Sequence, residues 1–403
     1  MTRISEKASK MSIDQQQLYQ YMSNQDLQLP DDLIPVPEPP QAAEPPREVN
    51  DKFDVAFKFA FVGAGQGGSR IAESFYNLGY RKIAAINTAQ QDLASIKVEN
   101  KKCIGDGGAG KDPKVAEKLY SNHADDVMDF LKYAFTDKID KIFVCVGAGG
   151  GSGAGMMKPL VLSSKEIQEN AKCRSNKVGL ILALPKNSEG KKVCANALQT
   201  LETAFELVDS GIVSPLIIID NEKVAKLFSN LSVSSFWQTA NSTLAGNFHL
   251  FNLISSKPSS YSSFDKKDYE TVLESGSMVF GTSRVQDWKD PISVARSIRE
   301  NLKNNLICGG FDIKTSNIAA AVALADEEVL KNLPEATLDQ GFDQLNRMLG
   351  EGSTLHKGIY SSAARVKKNP DGTEQKILEL NIFTAVSRLG KPVEKIEELK
   401  KLL

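Results

Sequence analysis

The sequence predicts an α/β fold: a parallel sheet with helices on both faces, then a long helix and a smaller α+β domain with a mixed sheet. Three observations predict it. Apolar runs of strand length alternate with helical patterns from about residue 57 to residue 228. Those runs are apolar almost throughout rather than at every second position, which marks strands buried on both faces. Beyond 257–262 the rhythm changes, and strand candidates follow one another with fewer helices between them.

Residues 1–50 hold seven of the sixteen prolines. Proline removes backbone donors and favours extended chain, so 1–52 reads as an extension ahead of the fold. Within it, residues 12–22 fit either a short helix or disorder. Strands are expected at 57–62, 83–86, 142–146, 178–184 and 216–219, with helices at 69–78, 114–134, 154–169, 190–208 and 222–228. The segment 233–256 reads as one long helix through Phe236, Leu244, Phe248, Phe251 and Ile254. Later strands are expected at 277–282, 318–324, 356–361 and 378–386, and helices at 291–303 and about 338–349. The ending KPVEKIEELKKLL places Val393, Ile396, Leu399 and Leu403 on one face of a terminal helix. That face suits docking on its own domain, or contact with a neighbouring subunit or adaptor protein. The expected division is an extension at 1–52, a first domain at 53–232, the long helix at 233–256, a second domain at 257–388 and a helical tail at 389–403. No internal repeat is visible.

A length of 403 residues allows two to three domains at roughly 150 residues each. Hydrophobic residues at 41% and charged residues at 25% are an ordinary globular balance. With 49 basic and 50 acidic side chains, no global field points to nucleic acid or an acidic membrane. No apolar run approaches the roughly 18 residues of a membrane span, and the N-terminal stretch has no apolar signal region. Five cysteines form no CxxC pair and three histidines lie far apart, so zinc chemistry is disfavoured. A soluble cytoplasmic protein is expected, with no membrane contact and no strong direct nucleic-acid binding.

The chemistry concentrates in loops at strand ends. FVGAGQGGSR places Gly65, Gln66, Gly67 and Gly68 between a strand and a helix, where backbone N–H groups can approach a phosphate. The spacing also satisfies GxGxxG, so a Rossmann-like dinucleotide site is a rival. The acid that a ribose would need after the second strand is missing, because Asn87 and Thr88 stand there. VCVGAGGGSGAGMM follows the third expected strand. Its loop, Gly149, Gly150, Gly151, Ser152 and Gly153, offers amides and a hydroxyl at a helix N-cap. No lysine follows in the GK(S/T) sense, so amides, a helix dipole and a divalent cation must balance phosphate charge. IGDGGAGKDP, with Gly108, Ala109 and Gly110, precedes a helix opened by Pro113. Three glycine loops at strand ends of one sheet converge on one crevice, and a polyphosphate is the natural occupant.

Further along, Glu189 in LPKNSEGKK is either a ribose acceptor or a solvated helix-start carboxylate. Asn221 in IIIDNEKVAKL is either a purine contact or a helix N-cap. In SSFDKKDYETVLESG, Asp265 and Asp268 stand at i and i+3 near one face. They are either a water-orienting pair of acids or a capping pair.

The set resembles the tubulin/FtsZ superfamily of polymerising GTPases, well over about 57–285 and more loosely beyond. GGGSGAG resembles the signature GGG(S/T)G(S/T)G, with alanine for its second hydroxyl residue. The resemblance implies GTP or GDP with Mg2+ as ligand. It places Gln66 near phosphate and metal, through water, and sets the Ala85–Thr88 and Gly107–Pro113 loops beside the γ-phosphate. It puts Trp237 and Asn241 of the long helix, with Asn221, at the base. Ser242 stands where FtsZ has a guanine-reading aspartate, and Val193 where FtsZ has an arginine. FDKKDYETVL resembles the catalytic loop of FtsZ, with Asp265 and Asp268 as its carboxylates and Ser263 for the preceding asparagine. LPKNSEGKKVCANAL and LIIIDNEKVAKLF resemble the plasmid and phage TubZ branch more than division FtsZ.

The resemblance therefore implies a GTPase that polymerises head to tail and hydrolyses GTP between subunits. Such a protein would serve plasmid or phage DNA segregation through a DNA-binding adaptor. The alternatives are an FtsZ-like division protein, a nucleotide-binding scaffold with weakened hydrolysis and, from GxGxxG alone, an NAD-dependent oxidoreductase.

Overall fold

The computed structural model describes residues 54–135, 138–227, 233–303, 310–368 and 372–403. The proline-rich stretch, with the helix considered at 12–22, and Cys308 lie outside the described residues. So does the side chain of Trp237.

Six strands run parallel in the spatial order β3-β2-β1-β4-β5-β6: β1 (Phe59–Ala64), β2 (Ile83–Asn87), β3 (Asn100–Cys103), β4 (Lys141–Gly147), β5 (Val178–Leu184) and β6 (Val213–Asp220). Every residue of β1 and of β6 is buried. Continuous apolar sequence is what a strand needs when helices cover both faces. The edge strand β3, Asn-Lys-Lys-Cys, is polar and short, and the sequence pattern does not predict it. The glycine-rich loop read as following the third strand therefore follows β4.

Around this sheet lie α1 (Gly65–Leu78), α2 (Gln90–Ala94), α3 (Pro113–Asn122), α4 (Ala124–Ala134), α5 (Gly151–Asn170), α6 (Lys191–Asp209) and α7 (Asn221–Leu227). The single pattern at 114–134 divides into α3 and α4, because His123 leaves helical geometry and caps both.

The long helix α8 (Val233–Ile254) and the short α9 (Lys266–Leu273) lead into β7 (Ser277–Val285). β7 extends the same sheet, pairing in parallel with β6 at Leu216 and Ile217. Beyond it β12 (Leu380–Leu389) is antiparallel to both β7 and β8 (Ile318–Ala325), and β9 (Thr354–Ser361) runs parallel to β8. The result is one ten-stranded sheet, parallel in its first half and mixed in its second. Helices α10 (Pro291–Lys303), α11 (Glu327–Asn332) and α12 (Glu335–Met348), a hairpin of β10 (Arg365–Lys368) and β11 (Glu374–Ile377), and α13 (Val393–Lys401) complete the chain.

One aromatic cluster ties the two halves through α8. Phe248 packs against Phe59, Phe61, Phe75 and Phe143 of the first half, with ring centroids 5.0–6.0 Å apart. Three residues on, Phe251 packs against Phe264 and Phe280 at 5.7 and 5.6 Å. Each such pair contributes about 0.5–1.5 kcal/mol beyond its buried area. The helix is thus packed against both halves of the sheet.

Candidate functional site

A cleft of about 530 Å³ opens where β1, β4, β5 and β6 end. Small-molecule sites are typically about 300–1,000 Å³, and carboxyl ends of parallel strands are where they form. Two helices start directly at its wall. α1 has N-cap Ala64 and α5 has N-cap Gly150, and neither cap residue offers a side-chain hydrogen bond to the helix. Their first-turn N–H groups therefore face the cleft with the positive ends of two helix dipoles, the arrangement that binds phosphate. α3, outside the cleft, differs: Asp112 caps it by accepting from the Lys114 N–H at 3.0 Å.

Glycine is required in this wall by close approach. Gly65 has φ of +68°, and a Cβ there would lie 2.8 Å from the Gly153 nitrogen. Gly68 packs on β4, where a Cβ would come within 2.0 Å of the Cys145 carbonyl oxygen. By contrast a Cβ on Gly107, Gly110 or Gly150 would project into open space, so these loops leave room for a ligand.

The candidate residues Gly65, Gln66, Gly67, Gly108, Ala109, Gly110, Gly149, Gly150, Gly151, Ser152, Gly153, Glu189, Asn221 and Asn241 all line the cleft. Gly68, Asn87 and Thr88 are buried behind the lining. Asn87 accepts from the Thr88 N–H at 2.7 Å and donates to Asp92 at 3.1 Å, so it shapes the loop from beneath. The Thr88 and Ser152 hydroxyls share a hydrogen bond of 2.7 Å that ties the loops after β2 and β4. Ser152 is the second residue of α5 rather than its N-cap, a place taken by Gly150. Glu189 accepts from the Lys186 N–H at 2.8 Å. Ser242 is half-buried beside the buried Asn241 and is not among the lining residues.

Several lining residues escape the sequence reading. Lys111, in the GGAGKDP motif, and Arg70, ending GQGGSR, put cations in the wall. Lys192 reaches the Gly110 carbonyl at 3.4 Å. The cleft wall thus offers cationic side chains as well as amides. Asp92 lines the cleft and accepts from Gln66 Nε2 at 3.3 Å. No group of three or more His, Cys, Asp or Glu side chains is poised around a metal among the described residues. Gln66 and Asp92 offer the oxygen donors suited to a hard cation that keeps water and phosphate as its other ligands.

The loop itself is held from α6. Asn196 Nδ2 donates to the carbonyls of Lys111 and Gly149 at 3.1 and 3.2 Å, and Thr200 donates to that of Ala148 at 3.2 Å. The Asn221 side of the cleft is buttressed by the terminal helix. Lys395 of α13 is buried and pairs with Asp220 and Glu398, both at 3.1 Å. Glu398 accepts from Asn187 at 2.7 Å. Leu399 is buried and Ile396 packs on the core, whereas Val393 and Leu403 are exposed. The helix docks on its own chain through half of the predicted face.

Asp265 and Asp268 are not in the cleft. They form a reciprocal capping box at the start of α9: Asp265 Oδ1 accepts from the Asp268 N–H at 2.9 Å, and Asp268 Oδ2 accepts from the Asp265 N–H at 3.0 Å. Asp268 Oδ1 also meets His356 Nδ1 at 2.7 Å. α9 packs on the far half of α8, where Tyr269 donates to the Phe248 carbonyl. From Asn241 to Ile254 that helix covers roughly 20 Å at 1.5 Å per residue. The acids thus lie away from the cleft, toward the C-terminal end of α8.

Residues 58–229 match the Tubulin/FtsZ family, GTPase domain. The chain is 27% identical over 248 residues to the tubulin-like protein TubZ of Bacillus cereus, a match that covers 56% of this chain and 54% of that protein. It is 28% identical over 255 residues to the cell division protein FtsZ of Aquifex aeolicus, covering 61% and 65%. The chain thus spans about half to two thirds of the length of these relatives. In fold it is similar to the GTPγS-form protofilament structure of Bacillus thuringiensis TubZ, with a TM-score of 0.73 at 18% identity, covering 88% of this chain and 93% of that one. CetZ2 of Haloferax volcanii is similar at a TM-score of 0.66 and 19% identity, covering 86% and 98%. Over residues 58–229, therefore, this chain carries a domain of the tubulin/FtsZ family.

Proposed function

We propose that the chain is a cytoplasmic GTPase that assembles head to tail into filaments and hydrolyses GTP where one subunit meets the next. The observation that carries this reading is a separation: a glycine-lined cleft beside Asn241 of α8 and a fixed pair of carboxylates packed toward that helix's C-terminal end. Neither is a hydrolytic site alone. Stacking one copy on the next brings them together, and because the two surfaces differ the contact propagates into an open filament. The TubZ relative whose structure is described as a protofilament supports the same mode of assembly.

In this reading the amides that open α1 and α5, with Lys111, hold the β- and γ-phosphates, while Asn221 and Asn241 face the base. Gln66 and Asp92 would hold Mg2+, which would supply charge neutralisation on the triphosphate. Asp265 and Asp268 of the next subunit orient a water in line with the γ-phosphorus. Its oxygen bonds to phosphorus, the bond to the β,γ-bridging oxygen breaks, and a carboxylate receives the water's proton. GDP and phosphate remain, and loss of the γ-phosphate contact weakens the longitudinal bond. Segregation or positioning of plasmid or phage DNA through an adaptor is the biological role that the likeness to TubZ supports.

Asp268→Ala tests the proposal. GTP binding and sedimentable assembly should persist, with turnover per assembled subunit falling ~100-fold or more, the scale of a lost general base. Wild-type turnover in that variant would remove the acids from the reaction.

A further inference from the structure

We propose that His356 is a positioning residue for Asp268, fixing the orientation of that carboxylate through a hydrogen bond from its Nδ1–H; this rests on the reading of Asp265 and Asp268 as the hydrolytic acids. His356 lies on β9, which is paired in register with β8 through Ala320. Asp268 lies on α9, so the 2.7 Å contact between Nδ1 and Oδ1 joins two separate elements. An ionised carboxylate only accepts, so Nδ1 carries the proton. The other ring nitrogen, Nε2, is buried and has no hydrogen-bond partner among the described residues.

The consequence is geometric. Asp268 Oδ2 is held by the Asp265 N–H and Oδ1 by His356, so the carboxylate is fixed from its own helix and from the sheet. Its side chain nevertheless keeps 27% of its surface exposed, and that of His356 only 17%. That exposed part of Asp268 is what remains available to a neighbouring subunit in the proposed assembly. Placing a reacting group to within a fraction of an ångström is worth up to ~100-fold in rate. Removing one of two restraints on Asp268 should lose much of that.

The experiment compares His356→Ala, His356→Asn and His356→Gln with wild type and Asp268→Ala, measuring GTP affinity and turnover per sedimented subunit. Asn can place an amide N–H where Nδ1–H stands, whereas Gln places its own near Nε2. Expected are unchanged GTP affinity throughout, a ~10–100-fold fall for His356→Ala and His356→Gln, and His356→Asn within about threefold of wild type. Equal turnover in the Asn and Gln variants, or wild-type turnover in His356→Ala, overturns the inference. If His356→Ala does not assemble, the Asn and Gln pair decides alone. Wild-type turnover in Asp268→Ala would instead overturn the hydrolytic reading itself, so the two failures are separable.

Discussion

Ser152 sits where two loops meet, its hydroxyl 2.7 Å from that of Thr88 and its backbone in the uncapped first turn of α5. A carboxylate placed there would face phosphate with like charge, which costs several kcal/mol. Ser152→Asp should therefore weaken GTP binding by ~100-fold or more, read by titration with labelled nucleotide; affinity like wild type would mean that the phosphates lie elsewhere. At this scale the glycine loops were legible because their constraint is local: backbone must approach backbone, and only glycine allows it, as at Gly65 against Gly153. Lys111 and Asp92 were not. Lysine and aspartate are common on any surface, and only the tertiary fold turns these two into the cleft wall. His356 and Lys395 were hidden for the same reason, since their partners Asp268 and Asp220 are far away in sequence.

At the scale of elements, α9 is anchored to the lower edge of the parallel sheet more firmly than its eight residues imply. The buried Lys141 of β4 pairs with Glu274, Lys177 donates to the Glu274 carbonyl at 2.9 Å, and Ser214 donates to that of Leu273 at 2.7 Å. Arg174 forms a two-pronged bond to Glu270. That bond holds the Glu270 carboxyl down at about 2, against 4.5 ordinarily. A carboxyl with a depressed folded-state pKa stabilises the fold above its unfolded value and loses that contribution as pH falls. Wild type should therefore exceed Glu270→Gln in stability by about 1 kcal/mol at neutral pH, given partial solvation of the pair. In thermal melts the gap should close between pH 4.5 and about 2; a gap independent of pH would show that the pair contributes through packing instead. Buried parallel strands were readable because a short, unbroken apolar run is stable only with both of its faces covered. β3 and the β10–β11 hairpin were not, because edge and surface strands carry polar residues that resemble loops. The break at His123 was invisible to a periodicity that runs on through both helices.

For the whole molecule, α8 links the cleft, which Asn241 lines, to the acidic helix, packed through Phe251, Phe264 and Tyr269 toward its C-terminal end. In the proposed function a single copy is an incomplete enzyme, completed by stacking on the next. GTP turnover measured per molecule across a wide dilution series is the most direct test. Almost none is expected at low concentration, with a steep rise above a threshold that coincides with sedimentable filaments. Constant turnover per molecule from high dilution to saturation, without filaments, would contradict a site shared between subunits.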